Sequence, residues 1–166
     1  MKPRKKNSTA GKIAVTVIAA VLLLALYAVI FGFSAQDGEA SGSLSLRISQ
    51  GCVKLLNSLS GSRFSEQLMD DLALYFEHPV RKLAHFGEYA VMGGLVWLVL
   101  CPWLKRGRVL YVLVVLWVFV SGAFDEFHQL FVPGRYGSFA DVLLDTCGGA
   151  FGLLVCIFLS RERKRK

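Results

Sequence analysis

Asp125, Glu126, His128, Gln129 and Arg135 crowd into the segment FDEFHQLFVPGR at 124–135, directly after VLYVLVVLWVFVSGA, fifteen residues without a charge. A second set, Arg81, Lys82, His85, Glu88 and Tyr89, opens RKLAHFGEYAVMGG, and a third, Asp141 and Asp145, lies in SFADVLLDTCGGAFG. Imidazole beside carboxylate is the material of general acid–base chemistry, and His85, Glu88, Asp125 and His128 are the candidates for it. The same pairs suit a divalent metal, because His85 with Glu88 and Asp125 with His128 are spaced i, i+3 and Asp141 with Asp145 i, i+4. Arg81, Lys82 and Arg135 supply cations for an anion such as a phosphate. Ser34, Ser121 and Ser138 are ordinary serines and no HExxH, GxSxG or P-loop occurs, so a hydrolytic reaction here would use activated water.

Three readings fit these residues. The first is a ligand site built on Gln36, Arg81, Lys82, Tyr89, Glu126, Gln129, Arg135, Asp141 and Asp145. The second is a catalytic site on His85, Glu88, Asp125 and His128, with or without a divalent metal, for hydrolysis or group transfer. The third is a polar network that fixes helix register in a structural or assembly factor, without chemistry.

The elements that must position these groups are membrane helices. A chain of 166 residues that is 54% hydrophobic, with mean hydropathy +0.51, is too apolar for an ordinary soluble domain. Residues 13–33 carry no charge and cover about 31 Å at roughly 1.5 Å per residue, one hydrocarbon core. A secretory signal peptide is the rival reading of this run, but its apolar region is expected to be only ~7–15 residues. Further spans are expected at 80–104, 109–131 and 139–159, giving an all-α integral membrane bundle of four transmembrane helices in a single domain. The segment between the first two spans, 37–78, shows Leu44, Ile48, Cys52, Leu55, Leu56 and Leu59, then Phe64, Leu68, Leu72 and Tyr75, at helical spacing. Short amphipathic interfacial helices on the outer face, covering the bundle, fit that pattern. The proline after His78 predicts an extended lead-in to the second span.

Most of the 19 Lys and Arg lie in the stretch 1–12, the loop KRGR at 105–108 and the tail 160–166. Four spans put all three on one side, predicted cytoplasmic, with both termini inside. The net charge of +7 is thereby read as topology signals and lipid contacts, and no nucleic-acid partner is expected. Cys52, Cys101, Cys147 and Cys156 lack CxxC spacing and are expected to be buried, inert thiols, with one Cys52–Cys147 bridge as the alternative.

Helical angles join the polar sets. Arg81, His85, Glu88, Tyr89 and Met92 share a stripe with Lys82 beside it, and Ser121, Asp125, His128 and Gln129 share another, opposite Phe124, Phe127 and Phe131. Ser138, Asp141 and Asp145 fall on the stripe of Gly148, Gly149 and Gly152, where helices approach closely; a homodimer through that face is the alternative to its use within the bundle. VPGRYGS makes spans three and four antiparallel neighbours, so His128 and Asp141 are expected to face each other. Together with Ser34 and Gln36 of FSAQ, all these groups fall at one depth, near the outer surface. Ionisable groups inside a membrane mark a functional site by default.

FSAQ, RKLAHFGEYAVMGG, DEFHQLFVPGR and SFADVLLDTCGGAFG, in that order, resemble the motifs of the VanZ-like family of bacterial integral membrane proteins. The family-like polar positions are Ser34, Gln36, Lys82, His85, Glu88, Tyr89, Asp125, Glu126, His128, Gln129, Arg135, Asp141 and Asp145. The resemblance implies a multi-pass protein of the bacterial plasma membrane acting in the cell envelope, whose family namesake is associated with resistance to the glycopeptide teicoplanin. Expected partners are membrane lipids and lipid-linked cell-wall intermediates or glycopeptides. No reaction, cofactor or oligomeric state follows from it.

Overall fold

The computed structural model describes residues 9–162. The basic residues Lys2, Arg4, Lys5, Lys6, Arg163, Lys164, Arg165 and Lys166 therefore lie outside the described residues. Five helices follow in order: α1 (Thr9–Ser34), α2 (Gly38–Leu59), α3 (Glu66–Leu100), α4 (Arg108–Gln129) and α5 (Phe139–Glu162). Four of them, α1, α3, α4 and α5, are long and apolar enough to cross a membrane. The all-α, four-span expectation holds.

The centre is a helix-on-helix core of Leu23, Ile30, Tyr89, Met92, Val96, Trp97, Leu110, Val114, Val118 and Leu153. Lipid tails are as apolar as leucine, so burial alone does not drive such helices together and close packing must. The glycine stripe of α5 supplies it. A Cβ on Gly148 would strike the carbonyl of Phe86, one on Gly152 that of Ala90, and Gly93 is pressed equally hard against Gly149. The stripe is thus spent on the α3–α5 interface within one chain. Phe124, Phe127 and Phe131 are exposed, at 70%, 58% and 72%, and line the same cavity as Ser121, Asp125 and His128 instead of an opposite face, because residues 124 and 128 stand one turn apart on the helix.

Two expectations about the connecting segment fail. α3 is continuous through Pro79, and its 35 residues reach about 52 Å, roughly 20 Å more than a hydrocarbon core. Pro79 removes the N–H that would bond the Tyr75 carbonyl, but the turns before it are held from the side by α2. Ala73 is buried, Ser45 donates to Glu77, and Glu77 pairs with Arg81. α2 and the first half of α3 form an antiparallel hairpin whose turn carries Gly61 and Ser62 at positive φ, 81° and 56°. Asn57 closes it by accepting from the Phe64 N–H at 2.9 Å, and Ser65 caps α3 by accepting from the Leu68 N–H at 3.2 Å.

The second failure is the direction of the α2 stripe. Ser45, Ser49 and Val53 face α3, whereas Leu44, Ile48, Leu55, Leu56 and Leu59 are exposed. The small residues permit the close approach, and the leucines point away from the bundle instead of covering it. The cysteines also differ from expectation: Cys52 and Cys147 are exposed, Cys101 and Cys156 half-buried, and all four are free thiols.

At the end of the bundle away from α2, Trp103 donates to the Thr16 hydroxyl at 2.8 Å with Lys12 over its ring, and Arg106 covers Trp97. These contacts tie the α3–α4 loop to α1.

Candidate functional site

Polar groups gather at the α2 end of the bundle, where α1 and α4 end, α5 begins and α3 carries Arg81, Lys82 and His85 in mid-helix. α1 ends at Ser34, which is fully buried and accepts a hydrogen bond from the Gln129 amide at 3.0 Å. The same amide nitrogen donates to Asp125 one turn back, at 3.1 Å. Arg135, in the loop after α4, donates to the carbonyls of Phe33 (3.0 Å) and Gln36 (3.2 Å) and reaches the Gln129 amide oxygen at 3.5 Å. A guanidinium on the last carbonyls of a helix satisfies acceptors that have no intrahelical partner and opposes the negative end of the helix dipole. Gln36 enters through its backbone. Burial and the nearby Arg81 charge hold the Arg135 guanidinium below its ordinary pKa, though an arginine remains charged.

The loop is folded back on α4 by glycine. Gly134 has φ 70°, and a Cβ on Gly137 would meet the Glu126 carbonyl at 2.5 Å. The Glu126 carboxylate accepts from the Ser138 N–H at 2.7 Å, so it caps the start of α5. Glu126→Ala should therefore lower stability by about 1 kcal/mol, read as earlier thermal unfolding in detergent. Asp141, in the first turn of α5, takes Lys82 of α3 at 2.8 Å.

These groups enclose a chamber of about 360 Å³ lined by His78, Arg81, Lys82, His85, Glu126, Gln129, Arg135 and Asp141, among others. Among the described residues there are two ion pairs, Arg81–Glu77 and Lys82–Asp141. Arg135 belongs to neither; its hydrogen bonds go to neutral acceptors, with Asp125 and Glu126 within electrostatic reach. His85 lies within electrostatic reach of Asp125, Asp141, Arg135 and Arg81. The chamber can hold an anion and has an imidazole at hand for proton transfer.

The remaining candidates lie elsewhere. Asp125 and His128 line a larger, apolar cavity on the other side of α4's last turn. His128 stacks on Phe31, ring centroids 4.4 Å apart, and its Nδ1 is buried without a partner. His128 and Asp141 therefore do not face each other: the former is turned to α1, the latter is held by Lys82. Tyr89 is buried in the core and also lines the apolar cavity. Asp145 is fully buried at the α4–α5 contact opposite Gly122, and neither carboxylate oxygen has a partner. Glu88 is half-buried within electrostatic reach of Asp125. Among the described residues no three His, Cys, Asp or Glu side chains are grouped so as to hold a metal ion.

Sequence reasoning passed over Glu77, Tyr136 and Tyr27, whose hydroxyl joins Trp117 to Ser121. The first was visible in principle, since a glutamate four residues before an arginine on one helix is a pairing signal.

The sequence model described as VanZ/LLP1 matches residues 19–160. The chain belongs to the VanZ/LLP1 family. The match takes in every wall of the chamber and of the apolar cavity. Neither a curated protein nor a solved structure matches this VanZ/LLP1 member.

Proposed function

We propose that this VanZ/LLP1 protein binds a phosphate-bearing, lipid-linked or cell-wall component in the outer leaflet of the bacterial plasma membrane. The observation that carries the reading is the chamber at a helix-bundle end where Arg135, Arg81 and Lys82 converge and Arg135, within electrostatic reach of Asp125 and Glu126, forms no ion pair among the described residues. Lys12, Lys105, Arg106, Arg108 and Arg161 lie at the other end, which favours that end as cytoplasmic and the chamber as facing outward. Sequestering or altering such a component would change glycopeptide susceptibility, teicoplanin included.

Binding is tested by calorimetry with inorganic phosphate on protein in phosphatidylcholine nanodiscs. Lys82→Gln is expected to weaken phosphate about tenfold, the size of one charge-assisted hydrogen bond. Unchanged affinity would remove Lys82 from the site. In cells, a strain carrying Arg135→Gln should match the deletion strain in teicoplanin susceptibility. Wild-type behaviour of that strain would separate the chamber from any resistance role.

A second reading, hydrolysis or transfer, is favoured by His85, which lines the chamber within electrostatic reach of Asp125 and Asp141. His85 would be the base for an activated water, with or without a divalent metal. Elemental analysis of wild type and His85→Ala, alongside product formation over time, tests it. If His85→Ala and Asp125→Asn retained all activity and lost only thermal stability, the polar groups would be structural.

A further inference from the structure

The first turns of α3 are surplus to the membrane. The helix exceeds a hydrocarbon core by roughly 20 Å, and its continuity through Pro79 keeps the extra turns in line with the span. α2 is packed along them: Gly42 lies against Arg81, Ser45 donates to Glu77, and Asn57 donates to the Met69 sulfur and accepts from the Phe64 N–H. The hairpin therefore projects beyond the bilayer on the side where the chamber lies.

Its inner seam is thin, because Ser45, Ser49, Val53 and Ala73, the side chains buried between the two helices, are small. The large apolar side chains stand one position earlier. Leu44, Ile48 and Cys52 each precede one of the α2 residues on the seam, and Leu68, Leu72 and Phe76 precede Met69, Ala73 and Glu77 of α3. One position back is about 100° back around the helix. Two helices that run opposite ways turn in opposite senses when seen from one end, so a step back on each lands on the same flank. Leu55, Leu59 and Tyr75 extend that flank, whereas Arg47, Lys54, Asp70 and Asp71 fall outside it by helical angle. In water, an apolar face of this extent marks a binding surface.

We propose that this flank binds the same flank of a second copy, so that two hairpins close a four-helix bundle beyond the membrane. Both copies insert the same way up, so the two-fold axis stands along the membrane normal. That axis sets α2 of one copy opposite α3 of the other, and every neighbouring pair in the four is antiparallel, the arrangement of simple up-down bundles. A flank ~27 Å long and ~20 Å wide covers roughly 550 Å² per copy, about 1,100 Å² in all, enough for a specific interface. Lipid would cover the flank only if α3 broke at Pro79 and the hairpin lay down. The Glu77–Arg81 pair bridges that proline and Ser45 holds Glu77 from the side, which keeps the hairpin upright.

Cys52 supplies the test, since it is an exposed free thiol on the flank and the two-fold sets the two copies of it level with each other. The full chain in phosphatidylcholine vesicles, at rising lipid-to-protein ratio, is treated with a short bis-maleimide. A cross-linked dimer that persists on lipid dilution and disappears in Cys52→Ser is expected. Leu55 and Leu59 are 61% and 76% exposed, so Leu55→Glu and Leu59→Glu should each weaken dimerisation at least about tenfold and leave the thermal unfolding of the monomer unchanged. Lys54→Glu, off the flank, should cross-link as wild type does. Cross-linking that survives both glutamates overturns the proposal. So does a monomer at every ratio, and a fluorophore on Cys52 then tells what covers the flank: quenching by lipid with brominated chains assigns it to the membrane surface, and no quenching leaves it to a different protein.

Discussion

Gly152→Val is expected to abolish the folded bundle. A Cβ at this position would lie on the Ala90 carbonyl, and a backbone atom cannot rotate away as a side chain can. The helices would have to separate, and separation would also open the Gly148–Phe86 and Gly93–Gly149 contacts that share the seam. Overpacking of a close-packed core costs about 1–3 kcal/mol when side chains can shift, and occasionally more. Here the obstacle is main chain and three contacts go together, so the cost should lie at or above ~3 kcal/mol, a large part of a typical ~5–15 kcal/mol stability. Size-exclusion chromatography after graded heating in detergent reads this as loss of the monodisperse peak. Gly87→Ala is the control: nothing lies within 4 Å of its Cβ position, and replacing an exposed helical glycine should add up to ~1 kcal/mol. Equal damage by both variants would show that helix content, not close approach, governs the seam.

The largest expected effect on binding belongs to Arg135. Arg135→Lys keeps the charge, but a single ammonium cannot reproduce the fork that reaches Phe33, Gln36 and Gln129 together. Arg135→Gln removes the charge as well. Phosphate affinity should fall about tenfold in the lysine variant and about a hundredfold in the glutamine variant, ~1.4 and ~2.8 kcal/mol. Both variants release the end of α1, so thermal stability should fall similarly in the two. Affinity that tracks stability, with no gap between lysine and glutamine, would make Arg135 a strut and not a ligand-binding cation.

Span number and the glycine seam are legible in the sequence, because each depends on one helix at a time. Glycines at four-residue spacing announce a close approach whatever the partner. The orientation of α2 is not legible for a reason peculiar to membranes. Leu44, Ile48, Leu55 and Leu56 mark an apolar stripe, but lipid is as good a solvent for leucine as a protein core. Periodicity shows that a stripe exists and not which medium it seeks. The continuity of α3 is hidden for another reason: Pro79 argues locally for a break, and only the lateral hold of α2 through Ser45 and Glu77 outweighs it. The division of the polar groups between two cavities also depends on partners. Asp125 and Gln129 share a face of α4 by angle, yet they end in different cavities because α1 covers one flank of that turn and α3 with α5 the other.

The apolar cavity between α1 and α4, whose rim residues Leu116, Trp117, Val120 and Phe124 are exposed, would set the units in which a lipid-borne ligand is counted. A solute arriving from water is counted per litre, whereas one sliding in between two helices is counted per neighbouring lipid. Occupancy would follow the mole fraction of ligand in the leaflet and stay constant when membranes are diluted in buffer. Diluting the ligand with other lipid, at fixed total protein and ligand, would empty the cavity.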